Sequence, residues 1–225
     1  MSARAKPVSV VDAIARDLRR AVLSGELAAG TPLTEWEVAK RYEVARPTGK
    51  AAVEQLVYDR LLVRDNHRSA RVVTLGAEDV RDIYRTRAHI EGEAARRLAR
   101  ARTDVPAARA ANAEISALTD DSVLEVVGPD MRFHTALVDA LGSPRISRMY
   151  GSLVTEATLC MTQVQGRHLL ETTLIAAEHE QLLDLIAEGE ESEAVALLEL
   201  HLARARERLV RAIGGVAQSE AVARP

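Results

Sequence analysis

The sequence predicts a mostly α-helical protein, with an N-terminal winged helix-turn-helix followed by an all-helical antiparallel bundle of six helices. Three observations lead to this fold class. The 225 residues are 47% hydrophobic but only 3% aromatic, and helix-forming Ala, Leu, Arg and Glu are abundant. Apolar residues recur at helical spacing along most of the chain. Strand-like alternation is confined to residues 61–75.

Charge divides the chain into two modules. Residues 1–75 carry 13 Lys and Arg against 9 Asp and Glu, a net charge of +4, whereas the remainder carries 17 against 24, a net charge of −7. A basic head on an acidic body predicts different partners for the two modules. We expect a first domain at residues 1–75, a second at 76–216, and a frayed tail at 217–225.

Composition also indicates in which cellular compartment the protein is expected. The single cysteine, Cys160, excludes an internal disulfide and is expected to be a small apolar filler rather than a catalytic thiol. The first residues lack the apolar run of a signal peptide, and no apolar stretch approaches the ~18 residues of a membrane helix. A soluble cytoplasmic protein that does not bind membranes is expected.

The basic module has three helices followed by a hairpin. The stripe that begins with Val11 and Ile14 predicts the first helix, which ends at the turn segment "SGELAAGTPL". Thr34 is a good N-cap for "EWEVAKRY", because Glu37 follows three residues later and completes a capping box. After the turn "EVARP", a third helix begins in "TGKAAVEQLVYDR", and "LLVRDNHRSARVVTL" predicts two strands and a turn. This order is typical of a winged helix-turn-helix.

The start of the third helix is the candidate DNA-reading surface. In a helix-turn-helix, the N-terminal residues of the recognition helix face base edges, and Arg is the usual partner of guanine. Other polar residues of this module are expected to contact the phosphates or to lie near the wing tip. The candidates are Arg46, Thr48 and Lys50 for bases, Arg41 and Arg68 for phosphates, and His67 at the wing tip. The alternative is an ordinary solvated surface on a protein-interaction module.

From Ala77 onward the chain has helical periodicity alone, interrupted by short breaks such as Gly142–Pro144 and Gly189. Six helices with short connections predict an antiparallel bundle. The predicted helices cover residues 78–101, 105–118, 121–141, 144–165, 168–188 and 191–213.

The N-terminal motifs resemble the DNA-binding domain of GntR-type bacterial transcription regulators. The resemblance rests on "SGELAAGTPLTE", "EVAKRYEVAR" and "LVYDRLLV", and the helical remainder is similar to the FCD ligand-binding domain of the FadR subgroup. This chain departs from the family pattern in "ARPTGKAA", where Ala45 replaces a Ser and Lys50 an Arg, and at Trp36, where the family often has Arg. Lys cannot make the planar bidentate contact of Arg, so a different base preference is expected.

Four polar side chains fall on helix stripes that are otherwise apolar. Asp130 and His134 share the stripe of the third bundle helix, while His179 and His201 lie on those of the fifth and sixth. Buried polar groups without partners are costly, and convergence on a cation removes that cost. Three imidazoles and a carboxylate suit Zn²⁺ best, with Ni²⁺, Mn²⁺ or Fe²⁺ as alternatives. The FCD resemblance implies the same four ligands.

Arg87 and Glu91 also face inward, from the first bundle helix. One interpretation is an i, i+4 ion pair that ties this helix to its neighbours. The other is that Arg87 helps to bind an anionic effector beside the metal. The resemblance implies that the effector is a small organic acid.

Together these patterns predict a metabolite-responsive regulator, a repressor, that binds double-stranded operator DNA as a homodimer through two-fold half-sites. Two alternatives stay open. One is a constitutive DNA-binding protein with a purely structural metal. The other, a helical metalloenzyme, is disfavoured because the chain lacks the paired Glu-x-x-His of di-iron bundles and an obvious catalytic base.

Overall fold

The computed structural model describes residues 9–64, 69–118, 123–164 and 171–222, which are mostly helical and carry one small sheet. The chain divides into two compact units, 1–74 and 75–225. The first unit contains α1 (Val10–Leu23), β1 (Pro32–Leu33), α2 (Glu35–Arg41), α3 (Arg46–Tyr58), β2 (Leu62–Val63) and β3 (Ala70–Val72). The second contains α4 (Ala77–Ala101), α5 (Pro106–Ser116), α6 (Val123–Asp139), α7 (Pro144–Thr162), α8 (Thr172–Glu188) and α9 (Glu191–Val222). The predicted fold class is confirmed.

Local caps define the helices of the first unit. Ser9 caps α1, its hydroxyl accepting a hydrogen bond from the backbone N–H of Asp12 at 3.0 Å. The capping box predicted for α2 is confirmed: the Glu37 backbone N–H donates to the Thr34 hydroxyl at 3.1 Å, and the Thr34 backbone N–H donates to the Glu37 carboxylate at 2.8 Å. Both caps satisfy backbone donors that have no partner within the helix.

The hairpin has a third strand that the sequence did not predict. As expected, β2 pairs antiparallel with β3, in the register Leu62↔Val72. The segment interpreted as a turn after the first helix also contributes β1, which pairs with the other side of β3 in the register Leu33↔Ala70. A two-residue strand is too short to show an alternating pattern. Pro32 can take part because it lies at the first position of an edge strand.

The starts of α2 and α3 lie close together, and Gly49 makes this possible. A Cβ at position 49 would lie 2.8 Å from the backbone oxygen of Glu35 and 3.0 Å from the backbone nitrogen of Ala39. Real Cβ atoms do not approach backbone that closely, and backbone cannot turn aside as a flexible side chain can. The absence of a side chain at Gly49 therefore sets how closely the two helices of the helix-turn-helix pack.

We expect Gly49→Ala to destabilise the protein by about 1–3 kcal/mol, the typical cost of overpacking. The matched control is Gly151→Ala in α7, where an added Cβ meets nothing within 4 Å. There the better helix propensity of Ala is expected to stabilise by up to about 1 kcal/mol. Urea denaturation measures both changes, and a Gly49→Ala variant as stable as the wild type would contradict the close approach.

The second unit follows the predicted helices with shifted ends. The last helix continues through Gly214 to Val222, beyond the end expected at residue 213. Glycine lowers helix propensity by only about 1 kcal/mol and does not by itself end a helix. In the described parts of the chain, no helix is long and apolar enough to cross a membrane.

The core of the second unit surrounds α4, which packs along α9 and also contacts α6, α7 and α8. Its buried face includes Val80, Tyr84, Ala94 and Leu98, at the spacing of one helical stripe. Because α6, α8 and α9 supply the inward polar residues, this packing brings their side chains to a common interior beside α4.

Candidate metal centre

Asp130, His134, His179 and His201 lie together in the interior of the second unit. All four are buried, and each offers one ligand atom within 4.8 Å of the others. The Asp130 Oδ1 atom lies 3.8 Å from Nε2 of His134 and 3.6 Å from Nε2 of His179. The structure thus brings together the four candidate ligands from three helices as a group that could hold one metal ion.

Two carboxylates orient two of the imidazoles. Glu91 Oε2 lies 2.6 Å from Nδ1 of His134, and Nδ1 of His201 lies 2.8 Å from Glu178 Oε2. The contact of His201 is a hydrogen bond, and that of His134 is a close contact at ion-pair distance. A carboxylate that accepts the Nδ1–H leaves the Nε2 lone pair free, which is how metal-binding histidines are commonly held.

His179 is positioned by stacking instead. Its ring lies parallel to that of Phe133, with the ring centroids 3.6 Å apart and an interplanar angle of 2°. Neither nitrogen of His179, nor Nε2 of His134, has a hydrogen-bond partner among the described residues. An unsatisfied buried polar group costs about 1–3 kcal/mol, so several in one place fit a site that a ligand completes. A divalent cation satisfies these nitrogen atoms and the adjacent carboxylate.

Burial also sets the protonation states. Desolvation lowers the pKa of His179 well below its ordinary value, and the neighbouring histidines lower it further. Desolvation likewise lowers the pKa of His201, although the charge of Asp130 partly opposes this. At neutral pH these imidazoles are therefore neutral, the form that binds metals.

Arg87 and Glu91 form a buried ion pair beside the cluster. The Arg87 Nε–H donates to Glu91 Oε1 at 2.7 Å, and the Tyr150 hydroxyl donates to the same oxygen at 2.7 Å. Burial opposes the charge on Glu91, but the Arg87 guanidinium and His134 hold the pKa of Glu91 well below its ordinary value. The i, i+4 ion pair considered from the sequence is present in the structure.

Arg87 also faces the cluster from this pair. Its Nη2 has no hydrogen-bond partner among the described residues. Arg87, Asp130 and His201 line one cavity, together with Arg204, which contacts Glu178. An unpaired guanidinium nitrogen in such a cavity is suited to an anion, so the ion pair and an anion-binding role for Arg87 are compatible.

Sequence reasoning missed the supporting residues Glu178, Tyr150 and Phe133, and it linked Glu91 only to Arg87. Glu178 contacts a histidine on the next helix, and Tyr150 contacts α4 across the unit. Such contacts depend on how helices pack and leave no spacing signal in one sequence. Cys160 is buried, which raises the pKa of its thiol to about 12, as an inert apolar filler requires.

The candidate DNA-reading residues lie in the first unit. Arg46 is the first residue of α3, 75% exposed in its side chain and 3.9 Å from Glu35, and Thr48 and Lys50 follow within the first two turns. Arg41 ends α2 and lies 3.2 Å from Glu26. The two wing-tip candidates, His67 and Arg68, lie outside the described residues. A DNA contact stays a prediction for all six.

Comparison with known families accounts for both units. The model of the FCD domain matches residues 82–204, and that of the bacterial regulatory proteins of the gntR family matches residues 10–72. The chain belongs to the GntR family and carries an FCD domain. Its first unit is the winged helix-turn-helix of that family, and the centre described above lies within the FCD domain.

Solved structures of other GntR-family regulators are similar to this chain. A GntR transcriptional regulator from Rhodococcus sp. RHA1 is 25% identical, with a TM-score of 0.78 over 89% of this chain and 97% of that one. A GntR family member from Pseudomonas syringae pv. tomato str. DC3000 is also 25% identical, with a TM-score of 0.51 over 93% of this chain and 90% of that one. The metal-free FCD domain of another transcriptional regulator is 20% identical, with a TM-score of 0.52 over 63% of this chain and 99% of that one, and shows the fold alone.

A curated relative, the HTH-type transcriptional regulator BphR of Paraburkholderia xenovorans (strain LB400), is 34% identical over 88 residues. The match covers 39% of this chain and 36% of the relative. The chain therefore spans about a third of the length of the curated relative it matches.

We expect Glu178→Gln to weaken metal binding by about 10–100-fold, the usual effect of removing a carboxylate that holds a metal-binding histidine. Glutamine cannot supply the negative charge that orients His201. The matched control is Glu180→Gln, two positions along α8, whose half-exposed carboxylate contacts Arg109. Isothermal titration of metal-free protein with Zn²⁺ measures both affinities. Equal affinities for the two variants would contradict the orienting role.

Proposed function

We propose that this GntR-family protein is a ligand-responsive transcription regulator, with an FCD domain that binds a divalent transition metal and a small carboxylate. The observation that carries the proposal is the buried cluster of Asp130, His134, His179 and His201, in which imidazole nitrogens lack hydrogen-bond partners among the described residues. Buried imidazole nitrogens without hydrogen-bond partners favour a cation-binding role for the cluster over a purely packing role.

These four residues would hold the cation. Zn²⁺ is the ion that this ligand set favours, and Ni²⁺, Mn²⁺ or Fe²⁺ would bind where it is the more available ion. Glu91 and Glu178 would keep His134 and His201 oriented, and Phe133 would keep His179 in place. Four protein ligands fill a four-coordinate ion, so an anionic ligand would bind only where the cation accepts a fifth or sixth ligand.

The cavity beside the cluster supports a small anionic effector. Its lining includes three guanidinium groups, of Arg87, Arg204 and Arg208, against two carboxylates, of Asp130 and Glu178, so positive charge is in excess. Its volume is about 30 Å³, enough for about two water molecules. A single carboxylate group fits this space, so a small organic acid is favoured over a bulky metabolite.

The winged helix-turn-helix would bind double-stranded operator DNA through the start of α3, with two copies of the chain on two-fold half-sites. Arg46, Thr48 and Lys50 would face base edges and Arg41 the phosphates. Binding of the acid would lower operator affinity, the behaviour of a repressor. A coupling free energy of about 1–3 kcal/mol would change that affinity by roughly 5–150-fold.

The test begins with a duplex selected from a randomised 30-base-pair library by the full-length protein. Fluorescence anisotropy then measures its affinity for metal-free and Zn²⁺-loaded protein, with and without mono- and dicarboxylates of two to six carbons. We expect at least one acid to weaken binding of the duplex about fivefold or more, and only in the metal-loaded protein. Release that is independent of metal, or an operator affinity that no acid changes, contradicts the proposal. The second result would indicate a constitutive DNA-binding protein with a structural metal.

A further inference from the structure

Trp36 is a large apolar side chain that is exposed at the start of α2. It is the only tryptophan of the chain, and it is 59% exposed. A single exposed apolar residue is ordinary on a protein surface and indicates nothing by itself. Its position is more informative, because Trp36 lines a cavity of about 250 Å³ together with Arg46, Arg64 and Ser69. The indole therefore shares a surface with the first residue of the candidate recognition helix.

The backbone of Trp36 is placed close to the start of α3. The close approach of Gly49 to the backbone of Glu35 packs the first turn of α3 against the first turn of α2. The capping box at Thr34 also orders the start of α2. Trp36 follows Glu35 directly, so its main chain is placed by the same contacts that place the DNA-reading end of α3.

Positive charge surrounds this apolar ring. The Lys40 ammonium lies 5.1 Å from the centroid of the Trp36 ring, on the next turn of α2. Arg46 and Arg64 lie 3.9 Å and 3.3 Å from the carboxylate of Glu35, which keeps both guanidinium groups near the cavity. An apolar ring near three cations and the single carboxylate of Glu35 suits a polyanion that also presents an apolar group.

We propose that Trp36 is a specificity-determining residue that packs against the methyl group of a thymine at the edge of each half-site. The C5-methyl of thymine is the apolar feature that the major groove presents to a protein. Arg46, on the same surface, is the residue expected to read an adjacent base edge. This inference rests on the operator binding proposed above. It predicts a thymine preference that does not depend on an ion pair and is therefore insensitive to salt.

The first part of the test uses the full-length protein and the selected duplex described above. Because Trp36 is the sole tryptophan, fluorescence excited selectively in the indole, beyond the absorption of the four tyrosines, reports on this position alone. Binding of the duplex is expected to quench this fluorescence, and Trp36→Ala is expected to weaken binding about tenfold with its circular dichroism unchanged. The matched control is Tyr58→Ala, which removes an 87% exposed aromatic ring at the other end of α3 and is expected to leave the affinity unchanged.

The second part replaces each thymine of the duplex by uracil, which removes only the methyl group. In the wild type, one position per half-site is expected to weaken binding about fourfold, the value of one buried methyl-sized group. In Trp36→Ala, the same replacement is expected to have no effect. Trp36→Ala with wild-type affinity, or uracil effects equal in the two proteins, overturns the inference while leaving operator binding intact. Failure of the wild type to select any duplex overturns operator binding itself.

Discussion

Replacing His179 by alanine is expected to abolish the stabilisation that Zn²⁺ gives to the FCD domain. A ligand that binds only the folded state at 1,000 times its Kd adds about 4 kcal/mol to the free energy of unfolding. His179 offers a neutral imidazole, with both nitrogens unpartnered among the described residues and its ring stacked on Phe133. Its loss removes one of four ligands, a larger change than the loss of an orienting carboxylate. Urea denaturation at a buffered concentration of free Zn²⁺ measures the free energy of unfolding of the wild type and of the variant.

The matched control is His89→Ala, which removes an exposed histidine from α4 in the same domain. This variant is expected to keep the full Zn²⁺-dependent gain. Comparing each variant with and without Zn²⁺ separates metal binding from any loss of packing, since the stacking on Phe133 is lost in both conditions. A His179→Ala protein that Zn²⁺ stabilises as much as the wild type would show that His179 is not a ligand.

Arg87→Met is expected to lower the free energy of unfolding by about 3–5 kcal/mol, the cost of leaving one member of a buried ion pair without its partner. Arg87 and Glu91 are 1% and 0% exposed, and the guanidinium is the main reason that Glu91 stays ionised against the cost of burial. Methionine has a similar length, so the change removes the charge with little loss of volume. Thermal or urea denaturation of the metal-free protein measures it.

Two further variants distinguish the contribution of this ion pair to stability from the general effect of removing a charge. Arg85→Met removes an exposed arginine of α4 that pairs with Asp82 and is expected to change stability by less than about 0.5 kcal/mol. Arg87→Met combined with Glu91→Met removes both charges and is expected to recover most of the stability. The affinity of the double variant for metal is expected to stay below that of the wild type, because His134 would lose the carboxylate at its Nδ1. A loss below about 1 kcal/mol in Arg87→Met would mean that the pair contributes little to the fold.

Elements with a periodic signature could be predicted from the sequence. The six helices of the FCD domain follow apolar stripes, and the same stripes placed Asp130, His134, His179 and His201 in the interior. The capping box of α2 was predictable because its partners are three residues apart. Local spacing therefore determined both the helices and the inward direction of the candidate ligands.

Features that depend on packing between distant segments could not be predicted. Strand β1 exists because it pairs with β3, nearly forty residues away, and two residues carry no pattern. Glu178 faces His201, twenty-three positions along the chain, and Tyr150 reaches Glu91 across fifty-nine. Stacking of Phe133 on His179 likewise joins two helices. Each contact depends on helix crossing angles, which a single sequence does not specify.

Anomalous X-ray diffraction would show directly whether the four clustered residues bind a divalent cation. Crystals of the full-length protein incubated with Zn²⁺ would be measured above and below the zinc absorption edge. We expect one strong anomalous peak about 2.0–2.2 Å from a carboxylate oxygen of Asp130 and from one nitrogen each of His134, His179 and His201. A Zn²⁺ peak elsewhere in the chain, with none at this cluster, would contradict this expectation and leave these histidines as polar residues of the core.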